Sequence, residues 1–375
     1  MSAPRLEIDL DKIHHNAHVL VDRLVDRGIS VTAVMKASLG SPEIANAVLS
    51  AGVSMVGDSR MENIEAMNRA GVKAPMMLIR SPMISDARRV VRYADLSLNS
   101  ELDVIRKLSR AAKSAGKRHG IVLMVELGDL REGIMPADLE RIAGSVISMP
   151  YIDLHGIGAN LACHCGVSPD ANNMAELSNL ADAIEKAFGV TLRIVSGGNS
   201  ANLNWALSGA STGRINNLRL GESILLGCEP LHRQPIEGLH TDAITLVAEV
   251  IESKIKPSQP WGEVAQTAFG KKTLAADRGN IAQAILAVGQ QDVDPEGLSA
   301  PTGIDVIGAS SDHLIVDCSH RLLQVGAEIR FQLNYSAMVR SMTSPFVSKV
   351  LRASSNSIQV QAKTHPLPKN HIIVT

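Results

Sequence analysis

The sequence predicts an α/β protein: a (β/α)8 barrel of the TIM type followed by a C-terminal all-β domain. Two observations carry this expectation. Between about residues 30 and 230, short apolar runs alternate with helical patterns through eight units, and eight such units suggest a closed parallel barrel rather than an open sheet. From about residue 236 the texture changes to β-rich segments separated by Gly, Pro and Asp, with no long helical pattern. The domains are therefore placed at 10–235 and 236–375, with residues 1–9, containing the run RLEIDL, as an added strand of the second domain.

The first apolar run is VTAVM (31–35), and the SPE that follows it supplies the Ser and Pro of a helix start. SMVG (54–57) precedes RMENIEAMNRAG, MMLI (76–79) precedes SDARRVVRYA, and LSL (96–98) precedes SELDVIRKLSRAAKSAG. IVLMVEL (121–127) is followed by PADLERIAGSV, IDLHGIG (152–158) by MAELSNLADAIEKAFG, and LRIV (192–195) by NLNWALSG. SILL (223–226) is the expected eighth strand. These runs are continuous rather than alternating, as strands buried on both faces are, and several helical patterns end in a Gly suited to a C-cap. In the second domain DAITLVAEVIESKIKP, IDVIGA, HLIVDC, AEIRFQLN and SIQVQA are the expected strands.

Composition narrows the function. A chain of 375 residues that is 45% hydrophobic buries a large core, and its net charge of −1 attracts neither phosphate backbones nor anionic lipid as a whole. The expected ligand is a small molecule, with no nucleic acid and no membrane as partner. The start MSAPRLEIDLDKIHHN lacks a basic segment leading into an apolar one, and no run is long enough to span a bilayer, so a cytoplasmic location is expected. Cys163, Cys165, Cys228 and Cys318 are too few and too scattered for a disulfide framework and read as thiols. Cys163, His164 and Cys165 offer soft ligands without a second half at matching spacing, and no metal is expected.

In a barrel of this kind the chemistry sits at the C-terminal ends of the strands. Lys36 ends the first run; a lysine there also has an ordinary explanation, its stem covering apolar surface while the ammonium reaches water. Arg131 lies in LGDLREGI after strand five and Asn160 in GANLAC after strand six. After strand seven comes SGGNSAN, a Gly-rich turn containing Gly198 and Ser200, whose N–H groups and hydroxyl can hold a phosphate. Arg219 and Gly221 lie in NNLRLGESILLG beside strand eight. A lysine and a phosphate grip in one barrel mouth suggest pyridoxal phosphate held as a Schiff base.

Taken together, AVMKA, LGDLREGI, GIGANLAC, SGGNSAN, INNLRLGESILLG, GQQDVDPEG, GASSDHLIVD and FQLNYSAM resemble the fold-type III pyridoxal phosphate enzymes typified by alanine racemase. The resemblance covers nearly the whole chain and is strongest to the alanine/ornithine racemase branch. It implies an isomerase that interconverts L- and D-amino acids. Lys36 is then the Schiff-base lysine and one of two acid/base groups; Gly198, Ser200, Gly221 and Tyr335 belong to the phosphate site. Arg131 is the group that positions the substrate carboxylate, which a guanidinium can hold with two parallel hydrogen bonds. Asn160 stands where alanine racemases carry a histidine against the ring. Arg219 faces the pyridine nitrogen and, staying protonated, has no proton to give it.

The pattern departs from the family in two places. KASLGSP offers no tyrosine after the lysine, and Phe269 of TAFG stands where alanine racemases have the tyrosine that the partner subunit lends as second base. A racemase needs acid/base groups on both faces of a planar intermediate. Asp312 and His313 of SSDH are nominated for that role, with His164 behind them. Asp129 and Glu132 flank Arg131 and suggest a substrate with a basic side chain such as ornithine, with alanine left open; the alternative is that both acids orient Arg131. The resemblance also implies a head-to-tail homodimer with shared active sites. Two other readings share the barrel and the lysine. One is a D-amino-acid lyase or aldolase, which adds a His-x-Cys or His-x-Asp metal pair not found here; the other is a non-catalytic pyridoxal phosphate homeostasis protein, usually a barrel alone.

Overall fold

A computed structural model describes residues 3–270, 276–319 and 321–354. They form two compact units, Lys12–Ala243 and, together, the described residues of Met1–Asp11 and Ile244–Thr375.

The chain opens with β1 (Arg5–Asp9) and α1 (Leu10–Val25). The first unit then alternates β2 (Ser30–Val34), α2 (Pro42–Ser50), β3 (Met55–Asp58), α3 (Met61–Arg69), β4 (Met76–Leu78), α4 (Ala87–Tyr93), β5 (Leu96–Asn99) and α5 (Leu102–Ala115). It continues with β6 (His119–Val125), α6 (Pro136–Ile147), β7 (Ile152–Ala159), α7 (Ala171–Phe188), β8 (Ile194–Gly198), α8 (Leu203–Leu207), β9 (Asn217–Leu220) and α9 (Glu222–Leu226). Strands β2 to β9 close into a barrel in sequence order, β9 returning to β2 with Ser30 beside Asn217 and Ala33 beside Leu220. Local chemistry explains these elements. Every residue of β6, HGIVLMV, is buried, as a strand covered on both faces must be. Helix α5 buries Ile105, Leu108, Ser109 and Ala112, one face at helical spacing, and stops at Gly116 in the left-handed region.

Two expectations for the barrel need correction. SILL belongs to helix α9, and the eighth strand is the preceding NLRL, Asn217–Leu220. A four-residue apolar run reads equally as buried strand or buried helix, and Asn217 and Arg219 hid the true strand by placing polar side chains among the apolar ones. Strand β8 also starts two residues later than LRIV and runs to Gly198, so Ser196, Gly197 and Gly198 are strand and the turn proper begins at Asn199.

The second unit holds β10 (Ile244–Pro257), β11 (Asn280–Leu286), β12 (Leu298–Ser299), β13 (Asp305–Ala309), β14 (Leu314–Asp317), β15 (Glu328–Leu333), α10 (Tyr335–Thr343) and β16 (Ser348–Arg352). Its sheet runs β12-β15-β10-β11-β14-β13, all antiparallel, while β1 lies antiparallel to β10 and parallel to β16. The expected β domain is present, and it also carries one helix the sequence pattern did not announce, α10, which Asn334 caps by accepting from Ala337 N at 2.9 Å and which buries Ala337, Met338, Ser341 and Met342. Tyr335 opens this helix. The expected strand SIQVQA, 357–362, lies outside the described residues.

On β1, Glu7 is 5% exposed and takes Arg5 Nε at 2.9 Å, Arg352 Nη2 at 2.8 Å and the guanidinium of Arg330. Burial raises its carboxyl, but the Arg330 and Arg5 hydrogen bonds outweigh this and hold it below its ordinary 4.5. Its stabilisation is thus present above that value and lost as pH falls through the lowered native one. Glu7→Ala strips a nearly buried Arg5 of one of its two carboxylates and is expected to cost about 3 kcal/mol, read as a lower urea midpoint by circular dichroism.

Candidate active site

Lys36 follows β2 at the C-terminal end of the barrel and starts a single 3-10 turn, Lys36–Ser38, which Ser38 Oγ closes by donating to Met35 O at 3.0 Å. Gly40 leaves this turn at φ 65°, and a Cβ there would lie 2.7 Å from Asn63 Cβ, so only glycine lets the loop pack on α3. Asn63 Nδ2 in turn donates to both oxygens of Asp58 at 3.1 Å. Asp58 is fully buried at the end of β3, and burial pushes its carboxyl up to about 6 against the donors and the nearby Lys36 charge. Glu222, also raised by burial, feels Lys36 from the opposite direction in the barrel order and pairs with Arg233. The amine thus stands in the field of two largely buried carboxyls.

After β8, Asn199 Oδ1 accepts from Ala201 N at 2.8 Å while Asn202 Oδ1 accepts from Asn199 N at 3.1 Å. Gly198 has φ 150°, and a Cβ would lie 2.1 Å from Asn202 Oδ1, which makes glycine obligatory for this turn. Ser200 Oγ sits 3.0 Å from Ser223 Oγ and takes long contacts from Gly221 N at 3.4 Å and Ser223 N at 3.3 Å. Two hydroxyls and two N–H groups converge, a donor set suited to an anion. Ser223 was missed by the sequence reading because SILL was read as strand; its place two residues after Gly221 was the available signal.

Arg219 is buried on β9 and donates to Ser196 Oγ, to Ala159 O at 2.7 Å and to Asn160 Oδ1 at 3.3 Å, all neutral acceptors. Its Nε has no acceptor among the described residues. Burial, aided by the charge of Arg131, pulls its pKa down to about 10, so it remains a cation at neutral pH. Asn160 lies between the two guanidiniums: turned over, its carboxamide oxygen would accept instead from Arg131 Nη2 and Nη1 at 3.2 and 3.3 Å. Arg131 pairs with Glu132; burial opposes its charge, but that pair keeps its pKa above the ordinary value.

Asp129 has a role that sequence spacing concealed. Its carboxylate accepts from Cys163 N at 3.1 Å, His164 N at 2.9 Å and Cys165 N at 3.2 Å, fastening the ACHC loop over the end of the barrel. Burial raises its carboxyl, yet the backbone donors outweigh burial and leave it below the ordinary range. Asp129 and Glu132 are therefore both engaged locally, and neither carries an argument for a basic substrate.

Lys36, Arg131, Asn160, Gly198, Ser200, Arg219 and Gly221 all lie at the C-terminal end of the barrel strands. Asp312, His313 and Tyr335 belong to the other unit. There Asp312 accepts from Gln291 Nε2 at 2.8 Å and the ring of His313 lies 3.4 Å from Ser310 Oγ, both exposed in the β13–β14 turn. Phe269 is exposed in the connection between β10 and β11, and His164 is exposed in the loop that Asp129 holds. Among the described residues no helix is long and apolar enough to cross a membrane.

The barrel agrees with what comparison with known proteins finds. The family model described as "Alanine racemase, N-terminal domain" matches residues 8–230. The chain is 38% identical to the ornithine racemase of Acetoanaerobium sticklandii over 93% of this chain and 99% of that protein. It is 36% identical to the lysine racemase of Thermotoga maritima over 94% of this chain and 100% of that one. In three dimensions it matches the alanine racemase of a D-cycloserine-producing Streptomyces lavendulae with a TM-score of 0.74, at 19% identity and over 95% and 99% of the two chains, a likeness of fold. With relatives matched end to end and a family model spanning more than half its length, the chain belongs to the alanine racemase N-terminal domain family and is an amino-acid racemase.

Proposed function

We propose that the chain is a pyridoxal phosphate-dependent racemase of basic amino acids, ornithine and lysine before alanine. The observation that carries the cofactor is Arg219, a buried guanidinium with only neutral partners and an Nε left for a further acceptor, which a pyridine nitrogen is. The paired hydroxyls of Ser200 and Ser223 with the N–H groups of Gly221 and Ser223 fit the phosphate, held loosely by their own contacts as they stand. When bound, the cofactor supplies an electron sink for the charge left at Cα as its proton departs.

The chain's own residues do the rest. Lys36 would hold the cofactor through its amine and, on one face, move the α-proton. Arg131 holds the substrate carboxylate, and its bond to Glu132 turns the guanidinium for that task. Arg219 keeps a fixed positive charge at the ring and releases no proton to it. Asp129 fixes the loop after β7 by accepting from three of its N–H groups. Asp312 and His313, presented by a partner in a head-to-tail homodimer, are the nominees for the opposite face.

The two full-length relatives named for ornithine and lysine support the basic substrate. They also favour racemisation over the lyase and carrier readings. A chiral assay of the purified enzyme with L-ornithine, L-lysine and L-alanine tests this. Both basic substrates are expected to give kcat/KM at least about tenfold above alanine. A higher value for alanine would remove the substrate assignment.

A further inference from the structure

Resting on the assignment of Arg219 to the cofactor ring, we propose that Ser196, Asn217 and Thr32 form a hydrogen-bond relay through the barrel interior that positions Arg219, making Ser196 and Asn217 positioning residues of the racemase. All four side chains are buried. Arg219 Nη1 donates to Ser196 Oγ, Ser196 Oγ donates to Asn217 Oδ1 at 2.7 Å, and Asn217 Nδ2 donates to Thr32 Oγ1 at 3.0 Å and Ser30 Oγ at 3.2 Å.

The relay has one permitted direction. A guanidinium can only donate, so Ser196 Oγ must accept from it. The single hydroxyl proton of Ser196 is then committed to Asn217 Oδ1. That commitment turns the amide nitrogen of Asn217 toward Thr32 and Ser30, whose oxygens accept it. Each group has a partner of the right kind, which is what makes a buried polar network rigid rather than costly. Strand geometry sets the links: Thr32 lies beside Arg219 across β2 and β9, and Ser196 beside Asn217 across β8 and β9. The register slips between Ser196 and Gly198, and such a bulge re-aims side chains next to a site.

The consequence concerns a charge with no carboxylate partner among the described residues. Ala159 O and Asn160 hold the Nη2 end of Arg219, and the Asn160 carboxamide can also turn to Arg131. Among the described residues Ser196 makes the one side-chain hydrogen bond on Nη1, so it decides the tilt of the guanidinium plane and hence where Nε–H points. Asn217 acts through Ser196.

The test uses the holoenzyme and four variants, Ser196→Ala, Asn217→Leu, Asn217→Asp and Arg219→Lys, with the Ser196→Ala/Asn217→Leu double variant. Four quantities are measured: kcat and KM for racemisation, keto-acid by-product formed per racemisation event, and the absorption maximum of the bound cofactor. Ser196→Ala and Asn217→Leu are each expected to lower kcat by about ten- to a hundredfold with KM little changed, the effect of one lost bond to a buried charge. Both should raise the by-product ratio and move the absorption maximum. The double variant should be no worse than the more affected single one, because both act through one path. Asn217→Asp keeps the acceptor for Ser196, and Thr32 and Ser30 can turn their hydroxyls to it, so it should retain the wild-type ratio.

If Arg219→Lys moves ratio and absorption but neither Ser196→Ala nor Asn217→Leu does, the relay is overturned and the assignment of Arg219 stands. If Arg219→Lys moves neither, the assignment of Arg219 to the ring falls and the relay with it.

Discussion

Lys36→Ala is expected to lower kcat for racemisation by about four orders of magnitude or more, since it removes both the covalent anchor and one acid/base group. Borohydride treatment should fix cofactor to the wild-type chain and not to the variant. Some cofactor should still co-purify, because Ser200, Ser223 and Gly221 are untouched. The fold should hold, because the Ser38–Met35 bond and the packing of Gly40 against Asn63, which close the turn after β2, are retained. A variant with folded circular dichroism and substantial turnover would take Lys36 out of the chemistry. Its ordinary role as a strand-end lysine would then be enough.

Much of this site was legible in the sequence because a barrel repeats. Eight apolar runs bring their following loops to one end, so Lys36, Arg131 and Asn160 could be assigned to the same region from their order along the chain. The eighth run was the exception. Asn217 and Arg219 broke its apolar count, and the same two residues turned out to be links in a buried polar chain. The strand was hard to read for the reason that it matters: polar side chains inside a barrel cannot be told from exposed ones by pattern alone. Ser223 was lost with it, since SILL took the strand's place.

Asp129 illustrates a second limit. Its partners are three consecutive N–H groups more than thirty residues away, and no spacing announces a carboxylate that folds a distant loop. An acid beside an arginine suggests an ion pair or a ligand contact; the structure shows a backbone clamp. Helix α10 was missed for a local reason, because YSAMVRSMT follows directly on the alternating strand β15 and its main signal was the cap, Asn334 reaching Ala337.

Arg219→Glu is expected to change the kind of reaction as well as its rate. Arg219 is a donor set facing Ser196 Oγ, Ala159 O and Asn160, and a carboxylate there would set an acceptor against the Ala159 carbonyl. Part of the effect is therefore structural. An acceptor facing an acceptor in the buried barrel costs about 1–3 kcal/mol, which a lowered urea midpoint would register. The chemical part is separable. A carboxyl at this position can hold a proton on the pyridine nitrogen, which Arg219 cannot supply, and a protonated ring draws more electron density from Cα. Racemisation should fall by about a hundredfold or more, while keto-acid by-product rises relative to racemised amino acid and a long-wavelength absorbance grows in with substrate. Were Arg219 only a structural cation tying β9 to β7, the midpoint would drop while product ratio and absorbance stayed as in the wild type. That outcome would remove Arg219 from the ring and leave the choice of racemisation over side reactions to other residues of the barrel end.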